Sequence, residues 1–293
     1  MKIILKVGII LIILGAISVT VFGLLAQPYL EEQMVYTDQN YDYEGTDFNR
    51  IDLSFFNNPV VIKPSIDSQI HIRFKTDQYE EVTVTEDNQI LSIVVTSDWW
   101  DQFRNPLHWF NFSNIGINRT VTVELPSALY HLSVRTSNGA ISLEDLTLES
   151  AILRTSNGRI SIENVDIPTI TMISSNGKLY LKDVVSTTVD LETSNGEIEL
   201  IGVEAYSIDA ETSNGPVNAS GIHSEDFRVY TSNGTINLTI QGNFEDYKVR
   251  TKTSNGSVKI NGSTYGNDTY HSSKVPFVEA ITSNGNIRIN FED

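Results

Sequence analysis

Apolar and polar residues alternate along most of this chain, and a four-residue turn interrupts the alternation at a fixed interval. The turn reads TSNG or SSNG and occurs eight times, from Thr136–Gly139 to Thr282–Gly285. Its asparagines are Asn138, Asn157, Asn176, Asn195, Asn214, Asn233, Asn255 and Asn284, at spacings of 19, 19, 19, 19, 19, 22 and 29 residues. A glycine follows each of them: Gly139, Gly158, Gly177, Gly196, Gly215, Gly234, Gly256 and Gly285. Two and four residues before the turn stand apolar pairs such as Leu132/Val134, Ile170/Met172 and Val189/Leu191. Two and four residues after it stand pairs such as Ile141/Leu143, Leu179/Leu181 and Ile198/Leu200. The positions between are mostly polar. Period two on both sides of a turn predicts strand, turn, strand. Equal spacing predicts a structural unit of fixed length.

Such a unit cannot stand alone. Its roughly five inward apolar side chains contribute about 1.5–3 kcal/mol each when buried. Ordering its backbone costs about 1–2 kcal/mol per residue. Each unit must therefore pair with a copy on either side, which makes an all-β fold, a β-solenoid of stacked strand-turn-strand rungs. Rungs ~4.8 Å apart would give a column ~35–40 Å long. On this reading the turn is a corner. Asn-Gly suits two successive positive φ angles, stacked asparagines can bond to one another up the column, and the inward Thr hydroxyl can satisfy corner amides. The functional alternative is an array of Ser and Asn that grips a periodic ligand.

The rest of the chain divides around this repeat. Residues 1–6 form a short stub and Val7–Ala26 an uncharged run of twenty. That length suits a helix crossing a ~30 Å hydrocarbon core. Lys2 and Lys6 orient it with the N-terminus in the cytoplasm and the bulk of the chain outside. The rival reading is a cleaved signal peptide; the run is longer than a usual h-region, and Leu24 suits an A-x-A cleavage site poorly. We therefore expect a single-pass signal-anchor helix. Residues 27–45 read as an acidic stalk, 46–130 as an irregular β cap and 131–293 as the solenoid. Within the cap, Ser97–Gly116 holds all three tryptophans. These rings either plug the cap, as large aromatics commonly do, or form an exposed loop for a sugar, a partner or the membrane interface. Trp99, Trp100, Trp109 and Phe110 are the candidate ligand-binding residues. Phe277 and Phe291 are expected to cover the last rung.

Composition narrows the chemistry. A formal charge of −17 argues against nucleic acid as a partner. The absence of Cys removes disulfides, thiol catalysis and thiolate metal sites. The five histidines stand apart at non-ligand spacings. Five residues past the glycines stand Glu144, Glu163, Lys182, Ile201, Ser220 and Thr239, so no acidic row repeats for calcium or for an acid/base pair. No serine sits in G-x-S-x-G. We expect no catalytic residue, no cofactor and no metal.

The turns, taken with Arg119–Leu146, "RTVTVELPSALYHLSVRTSNGAISLEDL", resemble the putative-adhesin family of β-strand repeats, which includes LiaG-like and YvlB-like envelope proteins. The resemblance spans about residues 46–293. It implies a β-helical ectodomain behind a membrane anchor, a cell-envelope location and no catalytic residues. The expected function is a membrane-anchored, extracytoplasmic binding or adhesion module whose partner is an envelope glycan or a membrane protein. The alternatives are an accessory of envelope-stress sensing and, further off, an enzyme acting on envelope polysaccharide.

Overall fold

The computed structural model describes residues 35–97, 118–126, 130–271 and 274–292, together with Gly15, Ile17, Ser18, Thr20 and Val21 in helical conformation. Among the described residues no helix is long and apolar enough to cross a membrane. Most of the expected span Val7–Ala26 lies outside them.

Among the described residues, twenty-two strands follow in chain order. The N-terminal ones are β1 (Tyr36–Glu44), β2 (Arg50–Ser54), β3 (Val60–Pro64), β4 (Gln69–Asp77), β5 (Glu80–Asp87), β6 (Ile90–Ser97) and β7 (Val121–Leu125). Next come β8 (His131–Arg135), β9 (Ile141–Glu144), β10 (Ser150–Thr155), β11 (Ile160–Asp166), β12 (Thr169–Ser174), β13 (Leu179–Thr193), β14 (Ile198–Thr212) and β15 (Val217–Thr231). The last are β16 (Ile236–Gln241), β17 (Lys248–Thr253), β18 (Val258–Ile260), β19 (Ser263–Tyr265), β20 (Asp268–Tyr270), β21 (Phe277–Thr282) and β22 (Ile287–Glu292).

They wind into a β-solenoid with two parallel walls. Wall A is built from the segments that precede each corner, wall B from those that follow it. Parallel pairing is offset by nineteen residues, as in Ile170↔Val189 and Leu179↔Ile198. The apolar residues flanking the turns point between the walls, and none from Leu132 to Leu238 in this set is more than 6% exposed. A second corner closes the other edge. There β13, β14 and β15 bend without interruption, each fifteen residues long. The residue at that bend has positive φ in five rungs: Asp145, Asn164, Asp183, Gly202 and Gly221. These too are nineteen apart, and they are types that tolerate the left-handed region.

Chain order and stacking order part company at both ends. On wall A, β2 lies between β6 and β8, and on wall B, β3 lies between β7 and β9. The rung β2–β3 is thus laid down first but ends up inside the later rung β6–β7. At the other end β21 sits between β15 and β17, and β22 between β16 and β18. The eighth turn is therefore stacked between the sixth and the seventh, whereas uniform stacking would put it last. The longer spacings of 22 and 29 provide the chain needed to skip one level and return. Because the final strand is inserted, its backbone groups find partners on both sides.

The ends are covered by antiparallel strands. At the N-terminal end β5 pairs with β6, β4 with β7 and β1 with β4. Tyr36–Glu44, read from sequence as stalk, is thus a strand of the fold. Phe55 and Phe74 meet edge to face there, as do Tyr43 and Phe48. At the C-terminal end β20 covers β17 and β19 covers β18. Tyr265 and Tyr270 stack over the last inward residues, with Phe244 and Phe291 beside them. Phe277 is elsewhere, on the outer side of wall A, with the Lys248 ammonium 4.8 Å from its ring centre. Its position two residues before the buried Glu279 puts it on the outward phase.

Candidate functional site

Two surfaces carry polar groups repeated at rung spacing: the corner edge and the outer side of wall B. At the corner edge the asparagines form one continuous ladder. Asn157 Nδ2 donates to Asn138 Oδ1 at 2.5 Å, and Asn176, Asn195, Asn214 and Asn233 continue at 2.6–2.8 Å. Asn284 then donates to Asn233, and Asn255 to Asn284, each at 2.8 Å. At the other end Asn138 donates to Asn57, so the ladder has one more member than the sequence motif. The signal for Asn57 was present. In "RIDLSFFNNPVVI" the pairs Ile51/Leu53 and Val60/Ile62 flank Asn57–Asn58 in the phase of the repeat, and Ile51 pairs with Leu132.

The first residue of each turn is buried, at 2–6% exposure for Thr136, Thr155, Ser174, Thr193, Thr212, Thr231, Thr253 and Thr282. Its hydroxyl links two rungs. Thr212 Oγ1 donates to the Gly196 carbonyl at 3.0 Å and accepts the Gly215 N–H at 3.2 Å. The glycines are required for a reason other than the one expected. Neither the Asn nor the Gly of any turn has positive φ. Instead, a Cβ on Gly177 would stand 1.6 Å from the Gly158 carbonyl oxygen, and Gly158, Gly215 and Gly234 would each meet a neighbour's at 1.8 Å. Close approach of rung to rung, not a left-handed conformation, excludes a side chain here. Asn amides and Thr hydroxyls are thus largely occupied by the fold, which makes the ladder a structural edge.

Wall B offers a shallower but less occupied surface. Its outward column runs Tyr180, Glu199, Asn218, Asn237, Arg288 in register, with Ile201, Ser220, Thr239 and Asn290 alongside. Side chains shorten from Tyr180 to Ser220 and lengthen again at Arg288. A depression of about 200 Å³ results, lined by Glu199, Asn218, Ser220, Asn237, Thr239 and Arg288. Its polar groups are pre-set. Asn237 Nδ2 donates to Asn218 Oδ1 at 2.8 Å, Asn218 Nδ2 to Glu197 Oε1 at 2.7 Å and Arg288 Nη1 to Asn237 Oδ1 at 3.1 Å. Lys178 bridges Glu197 and Glu199 at 2.9 and 2.5 Å. Burial pushes the Glu197 carboxyl upward, but the bonds from Lys178 and Asn218 outweigh it and hold the group below its ordinary value. Sequence reasoning missed Asn218 and Asn237, although both follow the turn glycine by three residues.

On wall A, Asp190 faces Asp209 and Glu192 faces Glu211 across adjacent strands. Burial first, then Asp190 and Glu211, push the Asp209 carboxyl up. Glu279 is buried and accepts from Tyr230 Oη and Arg250 Nη1; burial first, then the bond to Glu279, drives the Tyr230 phenol up to about 12. Among the described residues no three His, Asp or Glu side chains are grouped to hold a metal ion. Trp99, Trp100, Trp109 and Phe110 lie outside the described residues.

Solved structures similar to this chain include a putative adhesin from Parabacteroides merdae, 11% identical, with a TM-score of 0.46, covering 88% of this chain and 96% of that one. A putative adhesin from Bacteroides fragilis is 14% identical with a TM-score of 0.42, over 87% and 97%. A putative lipid binding protein from Parabacteroides distasonis is 10% identical with a TM-score of 0.40, over 88% and 97%. No curated protein sequence matches the chain. The model of one family, Toastrack DUF4097, matches residues 48–290, and with its nineteen-residue rungs the chain belongs to that family of putative-adhesin β-repeat proteins.

Proposed function

We propose that this protein is a non-enzymatic binding module of the cell envelope, held to the membrane by one helix and working outside the cytoplasm. The observation that carries the reading is the outer side of wall B. Asn218, Asn237 and Arg288 are fixed at rung spacing by their mutual bonds, so an extended polar polymer such as an envelope glycan meets donors and acceptors that lose little freedom on binding. Membership of an adhesin-like family agrees with a binding role. The uncharged run Val7–Ala26 behind Lys2 and Lys6 supports the anchor. So do Ile17 and Val21, which are helical and 53% and 48% exposed.

The test uses the full chain in membranes. Protease added to intact cells should remove the β domain, and the solubilised protein should be retained by insoluble envelope polysaccharide. The double variant Asn218→Ala/Asn237→Ala should lose at least about tenfold in retention, the scale of two lost hydrogen bonds. Protection from external protease would overturn the location, and retention unchanged in the double variant would overturn the groove. Turnover of the polymer would overturn the non-enzymatic reading. A second reading, an accessory of envelope-stress sensing, draws support from β1, which begins at Tyr36, ten residues past the end of the anchor segment at Ala26. Partners captured by the intact chain and lost without residues 1–45 would favour it.

A further inference from the structure

The chain contains nine Asn-Gly pairs, eight in the corners and one, Asn261–Gly262, in the turn between β18 and β19. In an Asn-Gly pair the following backbone nitrogen reaches the asparagine amide carbon with least hindrance, because glycine has no Cβ in the way. At seven corners the fold opposes that reaction. The glycine is buried, and the Asn amide both donates to one neighbour in the ladder and accepts from another. At six of the seven the glycine N–H is also bonded to the Thr or Ser hydroxyl of its own turn.

The outermost rung, β17–β18, lacks these protections. Gly256 is the one exposed corner glycine, its N–H makes no hydrogen bond among the described residues, and Asn255 is held on one side only, by Asn284. Asn261 and Gly262 are both exposed. No atom lies within 4 Å of the place where a Gly262 Cβ would stand. Among the described residues the Asn261 side chain is bonded only through Oδ1, which accepts the Phe291 N–H at 2.8 Å.

We propose that Asn255 and Asn261 are sites of spontaneous deamidation in the folded protein, and that the ladder spares the other seven pairs. The Gly256 nitrogen gives its proton to hydroxide and forms a bond to Cγ of Asn255. The Cγ–Nδ2 bond breaks and ammonia leaves, taking a proton from water, so that a five-membered imide remains. A second water adds to either imide carbonyl and opens the ring to aspartate or isoaspartate, with no change of oxidation state. Gly262 and Asn261 react in the same way. At position 255 the new carboxylate faces the Asn284 Oδ1 that the amide had bonded, and isoaspartate adds a main-chain carbon between β17 and β18. The outermost rung loosens while the ladder inside it stays intact, so chemical ageing of the protein is confined to one end.

The experiment incubates the full chain at mildly alkaline pH, folded and in denaturant, and maps the amide-to-acid mass gain by peptide. Positions 255 and 261 should convert in the folded chain, with the seven internal pairs at least about tenfold slower because each requires prior local opening. In denaturant all nine should convert at similar rates. Asn255→Gln should abolish conversion at 255 and leave it at 261. Internal pairs converting as fast as 255 in the folded chain would overturn the proposal. So would folded protein inert at 255 and 261 while the denatured chain reacts throughout, and conversion at one position alone would overturn the assignment of the other.

Discussion

Gly177 has an added Cβ position only 1.6 Å from the Gly158 carbonyl oxygen, a distance that nothing short of rung separation relieves. Gly177→Ala should therefore destabilise by about 3 kcal/mol or more, at the upper end of core overpacking, measured as a shift in the denaturation midpoint. Thr193→Val keeps the shape but removes the hydroxyl that accepts the Gly196 N–H and donates to the Gly177 carbonyl. Two buried groups are left without that partner, and a loss of about 1–3 kcal/mol is expected. An unchanged midpoint for Thr193→Val would show that the bridge contributes nothing. The identity of these residues was legible in the motif, because their spacing marks them as equivalent. The reason for the glycine was not legible, since Asn-Gly suits positive φ and close approach alike, and only the contact between rungs distinguishes the two.

At the scale of elements, β1 is an edge strand held to β4 by charge. Asp38 pairs with Lys75, Asp42 with His71 and Arg73, and Asp67 with His71 from the neighbouring loop. The bond to Asp42, then Asp67, raises the His71 imidazole despite some burial. That contribution is complete below the ordinary imidazole value of 6.5 and is lost as pH rises through the raised folded value. Asp42 is lowered chiefly by His71 and then Arg73, and Asp67 by the Gln69 N–H and then Ser65. Those contributions are complete above the ordinary carboxylate value of 3.8 and are lost as pH falls through the depressed one. Docking of β1 should thus hold best between these values and weaken toward alkaline pH. Exchange protection of Tyr36–Glu44, corrected for intrinsic rates, should fall between pH 6 and pH 9, and His71→Gln should flatten the change. A β1 equally protected at both would contradict this. The polar, tyrosine-rich composition of 27–45 reads as a linker; its strand exists because β4 offers an open edge with complementary charge, a tertiary fact.

For the whole molecule the decisive feature is the order of the last rungs. With β21–β22 inserted between β15–β16 and β17–β18, removing residues 277–293 should take two rungs out of the stack. Exchange protection should vanish from Lys248–Ile260, which β21 and β22 hold in the stack, whereas sequential stacking would leave 248–260 protected. The repeat by itself determined the all-β solenoid, the inward face of each rung and the corner asparagines, because a nineteen-residue period with two-residue alternation leaves one way to bury Ile160, Leu179 and Ile198 together. The tertiary structure alone decided which rung neighbours which at the ends, that β1 belongs to the fold, and that Asn218, Asn237 and Arg288 form a groove. Rungs of equal length and equal apolar pattern are interchangeable partners in sequence. Only the loops that must reach between them, and the side chains that then meet across the gap, select one arrangement.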